Sequence, residues 1–230
     1  MTGYFTEKIK ESLDYRKNIV VPNFVYITIF LTIFTLLYIF ASIVIIPKNG
    51  PQNFNFINER GTITVMSAIF LISAGAFSLS SAIVNLKYKD KCKWFWVILF
   101  FAFMFLGFDE LLQFHERAGR IIHNIIEPPS IFRSWNDIIV IMYGPIALMG
   151  IFFLFPLGVR YPMVMEFFLM AFIFYFIHTF IDSTFQPRTV SSTIFEESFK
   201  LLSGEFLALG SFMGLLGLLW SFPINNPADS

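Results

Sequence analysis

The amino-acid sequence predicts an all-α integral membrane protein, a bundle of about six transmembrane helices. Three observations carry that class. Hydrophobic residues make up 56% of the 230 positions and charged residues 14%, with a mean hydropathy of +0.69, well above the composition of a water-soluble domain. Apolar stretches long enough to cross a hydrocarbon core of about 30 Å, which takes about 20 residues of helix, recur along the chain. The four tryptophans fall at the predicted ends of such stretches, where amphipathic indoles settle.

Taken in order, residues 1–20 form a short N-terminal segment of mixed charge, expected to be a solvated tail or a surface helix. Spans are expected at 24–46, 63–84, 94–115, 137–155, 166–185 and 194–220, within one membrane domain covering 21–222, and a tail follows at 223–230. The first span is longer than a signal-peptide core and lacks a small-residue cleavage site, so it is expected to be retained. The second span carries Ser73, Ala74, Gly75, Ala76, Ser78, Ser80, Ser81 and Ala82. The sixth carries Gly210, Gly214 and Gly217. Small residues at such spacings let helices approach closely in lipid. Pro145 in the fourth span removes an intrahelical hydrogen bond and predicts a bend.

Lys and Arg in short loops favour the cytoplasm. With the N-terminus inside, nine fall on the inner side and seven on the outer. The densest clusters precede the first span and follow the second, so both termini are expected to be cytoplasmic. The expected setting is a bacterial inner membrane or a plasma membrane. Net charge is zero and no long basic run occurs, which argues against nucleic acid as a partner and leaves membrane lipids. The single cysteine, Cys92, excludes an intrachain disulfide and a Cys-based metal cluster.

Ionisable residues inside a span are costly and are functional candidates by default. Three groups qualify. At the outward end of the third span, a helix continuing to Pro128 and Pro129 would place Asp109, Gln113, Glu116, Arg120 and His123 on one stripe, with Glu110, Arg117 and His115 on other faces. Glu116, Arg117, Arg120 and His123 also suit an interfacial salt-bridged cap. In the fifth span His178 and Asp182, four apart, share a face with Tyr175 nearby. A carboxylate beside an imidazole suits a metal ligand or a general base. In the sixth span Thr193 and Glu196 are spaced as a capping box, Lys200 is in reach of Glu196 or Glu197, and Glu205 lies too deep for capping to explain.

Helix direction puts Asp109, His178 and Glu205 at one depth, about 10–12 Å inside the outer ends of their spans, with Asp137 opening the fourth span on the same side. One outward-facing polar site is expected. Carboxylates outnumber cations at that level, so a positive partner is missing, and either a divalent metal (zinc, iron or manganese) or bound protons would supply it. The metal reading assigns His178, Asp182, Asp109 and Glu205 as ligands, with Asp109, Glu110, Glu116 and Glu205 as catalytic carboxylates and Arg117, Arg120 and His123 on a substrate head group. It makes the protein a metal-dependent intramembrane hydrolase or lipid-modifying enzyme. A proton- or cation-coupled transporter and a lipid-binding scaffold subunit are the alternatives.

Phe174 and His178, with the acidic pairs Asp109–Glu110 and Glu196–Glu197, are similar in outline to the glutamate and histidine motifs of CAAX-type intramembrane proteases. The arginine four residues after an acidic pair and the second histidine motif of that family have no counterpart here. Nor do the paired histidines that alkaline ceramidases carry in their last span. Neither family is assigned.

Overall fold

A computed structural model of the chain describes residues 2–19, 24–45, 61–87, 92–129, 134–184 and 190–221. Its elements are helices α1 Thr2–Arg16, α2 Phe24–Ile45, α3 Thr62–Lys87, α4 Lys93–Leu112, α5 Phe114–His123, α6 Trp135–Gly158, α7 Val164–Thr184 and α8 Val190–Ser221. Six of them, α2, α3, α4, α6, α7 and α8, are long and apolar enough to cross a bilayer, in agreement with the predicted spans to within a few residues. The chain is thus a membrane-integral helical bundle. The loop lysines and arginines Lys48, Arg60, Lys89, Lys91, Arg133 and Arg188 and the tail after 221 lie outside the described residues.

α3 and α8 form the centre of the bundle, with α4 against α3 and α7 against α8. α2 and α6 are peripheral and expose most of their apolar side chains, which suits contact with lipid acyl chains. Six crossings put the start of α2 and the end of α8 on one face of the bundle, called here the terminal face. The α4–α5–α6 and α7–α8 connections lie on the other, the site face.

The small residues serve close packing, as their spacing predicts. On α3, Ala74, Ser78, Ser81 and Ala82 are buried, and Ser78 donates to or accepts from Ser211 of α8 at 3.4 Å. On α8 the glycines receive aromatic rings. A Cβ on Gly214 would fall 1.9 Å from the Trp96 ring, and one on Gly210 2.5 Å from Phe168. Trp96 is therefore not the interfacial anchor its position predicts: it is fully buried and tilts against Tyr161. Trp94 and Trp220 are exposed, as anchors should be. α6 runs through Pro145 and Pro156 as one helix.

α1 is a surface helix on the terminal face. Its end is fastened by Arg16 to Glu166 at 2.5 Å and by the Arg160 guanidinium stacked 3.8 Å from the Tyr15 ring centroid, a cation–π contact. Phe5 stacks on Phe152 of α6. Asp14, exposed beside Lys17 at 2.8 Å, has its carboxyl held below the usual range by that hydrogen bond and charge.

Two expectations for the spans need correction. The third span does not run on to Pro128: the helix breaks at Gln113, in the left-handed region at φ 55°, and α5 begins at the next residue and ends at His123. The single stripe from Asp109 to His123 is therefore split between two helices. Nor are Thr193 and Glu196 a capping box, since α8 begins by Val190 and both are buried inside it.

Candidate functional site

The break at Gln113 has a local cause. A non-glycine residue in the left-handed region costs about 1–3 kcal/mol, and Asp109 provides compensating bonds. Its Oδ1 accepts the backbone N–H of His115 at 2.8 Å and its Oδ2 lies 2.9 Å from His115 Nδ1, with the Tyr143 hydroxyl donating to Oδ2 at 3.2 Å. One carboxylate thus caps α5 at its second residue, grips the imidazole beside it, and ties both to α6. Because a carboxylate accepts, Nδ1 carries the proton of the His115–Asp109 bond, and Nε2 is the ring's proton-accepting position.

α5 has ten residues, too few to stand alone in water. Glu116 in its first turn and Arg120 and His123 in its last complement the helix dipole. Glu116 accepts from Gln113 at 3.2 Å and from Arg120 at 3.3 Å. Gly119 presses on Asn136 of α6 so closely that a Cβ would sit 1.7 Å from Asn136 Oδ1. α5 turns Glu116 and Gly119 inward and leaves Phe114 and Ile121 exposed, with Ile125 and Ile126 beyond its end. The exposed side thus mixes Phe114 and Ile121 with Arg117 and Arg120, which suits a helix lying at the membrane interface, where long basic side chains reach the head groups.

Beneath α5 lies a cavity of about 180 Å³ enclosed by α3, α4, α5, α6, α7 and α8. Its carboxylates are Asp109, Glu110, Glu116, Asp137, Asp182, Glu196 and Glu197; its basic side chains are His115, His178 and Lys200. Lys200 stands between α4 and α8, with Nζ 3.0 Å from Glu110 Oε1 and 2.7 Å from Glu197 Oε2. His178 Nδ1 lies 3.2 Å from the Glu196 carbonyl oxygen, which joins α7 to α8. A carbonyl only accepts, so this Nδ1 is also a donor. Tyr175 donates to the Val140 carbonyl at 2.9 Å, and its ring centroid is 6.0 Å from that of His178.

Of the residues expected at the site, Asp109, Glu110, Glu116, His178 and Asp182 line this cavity together. Glu205 does not join them. It lies five residues beyond Lys200, about 140° around the helix, and turns to α2, where Thr32 donates to its Oε1 at 2.8 Å. Arg117, Arg120 and His123 are exposed on α5, outside the cavity lining. The expected metal ligands fail a geometric test: Glu205 faces away from His178, Asp182 and Asp109, and among the described residues no group of three or more His, Cys, Asp or Glu side chains could hold a metal ion.

Sequence reasoning missed His115, Lys200 and Tyr143. A continuous helix would put the first on another face, and neither glycine nor proline marks the break. Lys200 had a readable signal. It lies one turn after Glu196 and Glu197, level with Asp109 and Glu110, and it is the positive partner that the carboxylates at that depth require.

Residues 24–213 match the model of a family described as a domain of unknown function (DUF8692), and the chain belongs to that family. The match takes in every residue that lines the cavity and leaves out α1. No curated protein matches the chain, and no solved structure matches it.

Proposed function

We propose that the chain is a membrane-embedded enzyme that acts on the polar head of a bilayer amphiphile by proton transfer, with His115 as the acid–base group and Asp109 as its positioning residue. The observation that carries this reading is the 2.9 Å contact of Asp109 Oδ2 with His115 Nδ1 in the wall of the cavity beneath α5. A carboxylate on one ring nitrogen fixes the tautomer, orients the ring, and stabilises the imidazolium that forms when the other nitrogen takes a proton. Tyr143, donating to the same oxygen, keeps Asp109 in place.

The described residues do not fit the divalent metal of the hydrolase expectation, since Glu205 faces Thr32 of α2 and no three His, Cys, Asp or Glu side chains among them converge. Enzyme is favoured over carrier because the cavity is one-sided. Toward the terminal face the bundle interior is filled by Phe95, Trp96, Tyr161 and Phe168, where a solute would need a path. The setting consistent with the loop charges is an inner or plasma membrane with the cavity facing outward. Glu205 against Thr32 is the one observation that favours cation- or proton-linked transport instead.

The test is turnover by the purified protein in lipid nanodiscs, offered a panel of bilayer amphiphiles with products resolved by mass spectrometry. The reading expects His115→Gln to lose about 10²–10⁴-fold in rate. Asp109→Asn, which can still accept from the His115 backbone, should lose rate and shift the pH profile while the protein remains folded. Undiminished turnover in both folded variants would overturn the assignment. Proton flux across vesicles that depends on Glu205, with no product from any amphiphile, would transfer the function to transport.

A further inference from the structure

We propose that Glu205 is an intramembrane proton-binding site: its carboxyl is held as the neutral acid in the seam between α2 and α8, and the bound proton helps join α2 to the bundle. The seam is separate from the cavity, and the proposal does not depend on the chemical step assigned to His115.

The first observation is a pair of orphaned oxygens. Thr32 and Thr35, three apart on α2, each lie more than about 10 Å from either end of that helix. Thr32 donates to Glu205 Oε1 at 2.8 Å, and Thr35 interacts with the same carboxyl. Thr35 and Glu205 are fully buried, yet Thr35 Oγ1 and Glu205 Oε2 make no well-formed hydrogen bond. A carboxylate only accepts, whereas a protonated carboxyl has an O–H donor. A proton on Oε2 lets that oxygen donate to Thr35 Oγ1 while Oε1 keeps its bond from Thr32, and a small adjustment of the side chains then satisfies both orphans.

The second observation is that, among the described residues, no helix packed at the seam offers Glu205 a counterion. α2 carries no Asp, Glu, Lys, Arg or His from Phe24 to Ile45; its Tyr38 donates to the Thr62 carbonyl and its Tyr26 is exposed. α3, whose Ser67 and Phe70 adjoin Gly204, carries only Lys87, at its last residue and about 30 Å from Ser67 along the axis. On α8 itself Lys200 is about 140° around the helix from Glu205 and is bonded to Glu110 and Glu197. Glu166 of α7 meets Arg16, and His178 and Asp182 line the cavity. An ionised carboxylate buried in a membrane span without a cation beside it is costly. The neutral acid avoids that cost and keeps its bonds to both threonines. α2 meets the bundle mainly through α8, so the proton sits at the joint that holds this peripheral helix.

The experiment is infrared difference spectroscopy of the full chain in lipid nanodiscs at neutral pH, wild type minus Glu205→Gln, with thermal unfolding of the same proteins in sodium, potassium and choline buffers. The difference is expected to contain the C=O stretch of a protonated carboxyl. Thr32→Val removes the donor to Oε1 and should move that band to higher frequency. Thr35→Val, which removes the acceptor of the acid proton, is the second seam variant if Thr32→Val does not fold, and it too should move the band. Glutamine is an uncharged isostere with a donor of its own, so Glu205→Gln should leave the unfolding temperature unchanged within error in all three buffers. A carboxylate band with no protonated band would overturn the proposal, and so would a band that neither threonine variant moves. Marked destabilisation by Glu205→Gln in every buffer would overturn the role of the proton at the joint. A wild-type unfolding temperature that rises with sodium or potassium, and does so only while Glu205 is present, would make the occupant a metal cation instead. The readout needs no turnover, so it can fail or succeed independently of the amphiphile reading.

Discussion

The two ends of the bundle are built from the same helices in opposite ways. Toward the terminal face, α8 presents glycines, and Trp96, Phe168 and Tyr161 press into the space they leave. Toward the site face, the same helix presents Glu196, Glu197 and Lys200, and the space between helices stays open as a cavity. Packing in lipid gains from close van der Waals contact and has little hydrophobic drive, so the glycine end holds the bundle together. The ionic end is stabilised only so far as its charges find partners, and it has room for a ligand. One end supplies rigidity and the other supplies the site.

The largest expected effect comes from removing the cation that joins the site-face helices. Lys200→Met leaves Glu110 and Glu197 facing each other without a positive partner, and loss of one member of a buried ion pair costs about 3–5 kcal/mol. Thermal unfolding in detergent should show this as the most damaging single change at the site face. An effect below that of a glycine substitution on the terminal face would break the contrast between the two ends.

Next is Gly214→Ala, which drives a methyl group into the Trp96 ring. Overpacking of this kind costs about 1–3 kcal/mol, and Trp96 fluorescence should report the displaced ring while ligand binding at the cavity persists. Gly119→Ala is the matching change on the site face. Its methyl would collide with Asn136, so α5 should detach, raising hydrogen exchange in residues 114–123 with a smaller loss of global stability. If G214A impairs binding as much as G119A does, the two ends are not separable.

The fold was legible because its signals are additive: six long apolar stretches need no tertiary information, and the glycine spacing on α8 announces a close approach. The depth of the polar site was legible for Asp109 and His178 because helix direction and the 1.5 Å rise fix it. What was not legible depends on angle about the helix axis and on one backbone torsion. Glu205 shares the depth but faces α2, and no pattern in α8 alone says which neighbour each face meets. His115 reaches Asp109 only because Gln113 is left-handed, a conformation paid for by bonds that exist only in the folded state. Lys200 was visible as a residue in reach of Glu196 or Glu197, and its second partner, Glu110, comes from a different helix.

The smallest expected effect lies outside both ends. Asp14 on α1 has a lowered carboxyl pKa from Lys17 but is fully exposed, so solvent screens the pair. A depressed folded-state pKa contributes stability above the unfolded value, lost as pH falls through the folded one. Asp14→Asn should therefore leave the unfolding temperature unchanged within error at neutral pH and flatten only a slight acid-side decline. A marked loss at neutral pH would make α1 a structural partner of the bundle on a par with its two ends.

Lys200 supplies the positive charge that Glu110 of α4 and Glu197 of α8 share, and a double-mutant cycle on Lys200 and Glu110 tests this most directly. Unfolding free energies of wild type, Lys200→Met, Glu110→Gln and the double variant give the coupling. Contacting charges in one network are expected to couple by about 0.5–3 kcal/mol, so the double variant should be less destabilised than the sum of the singles. Strict additivity would show that the two side chains do not meet across the cavity, and the site as described would not exist.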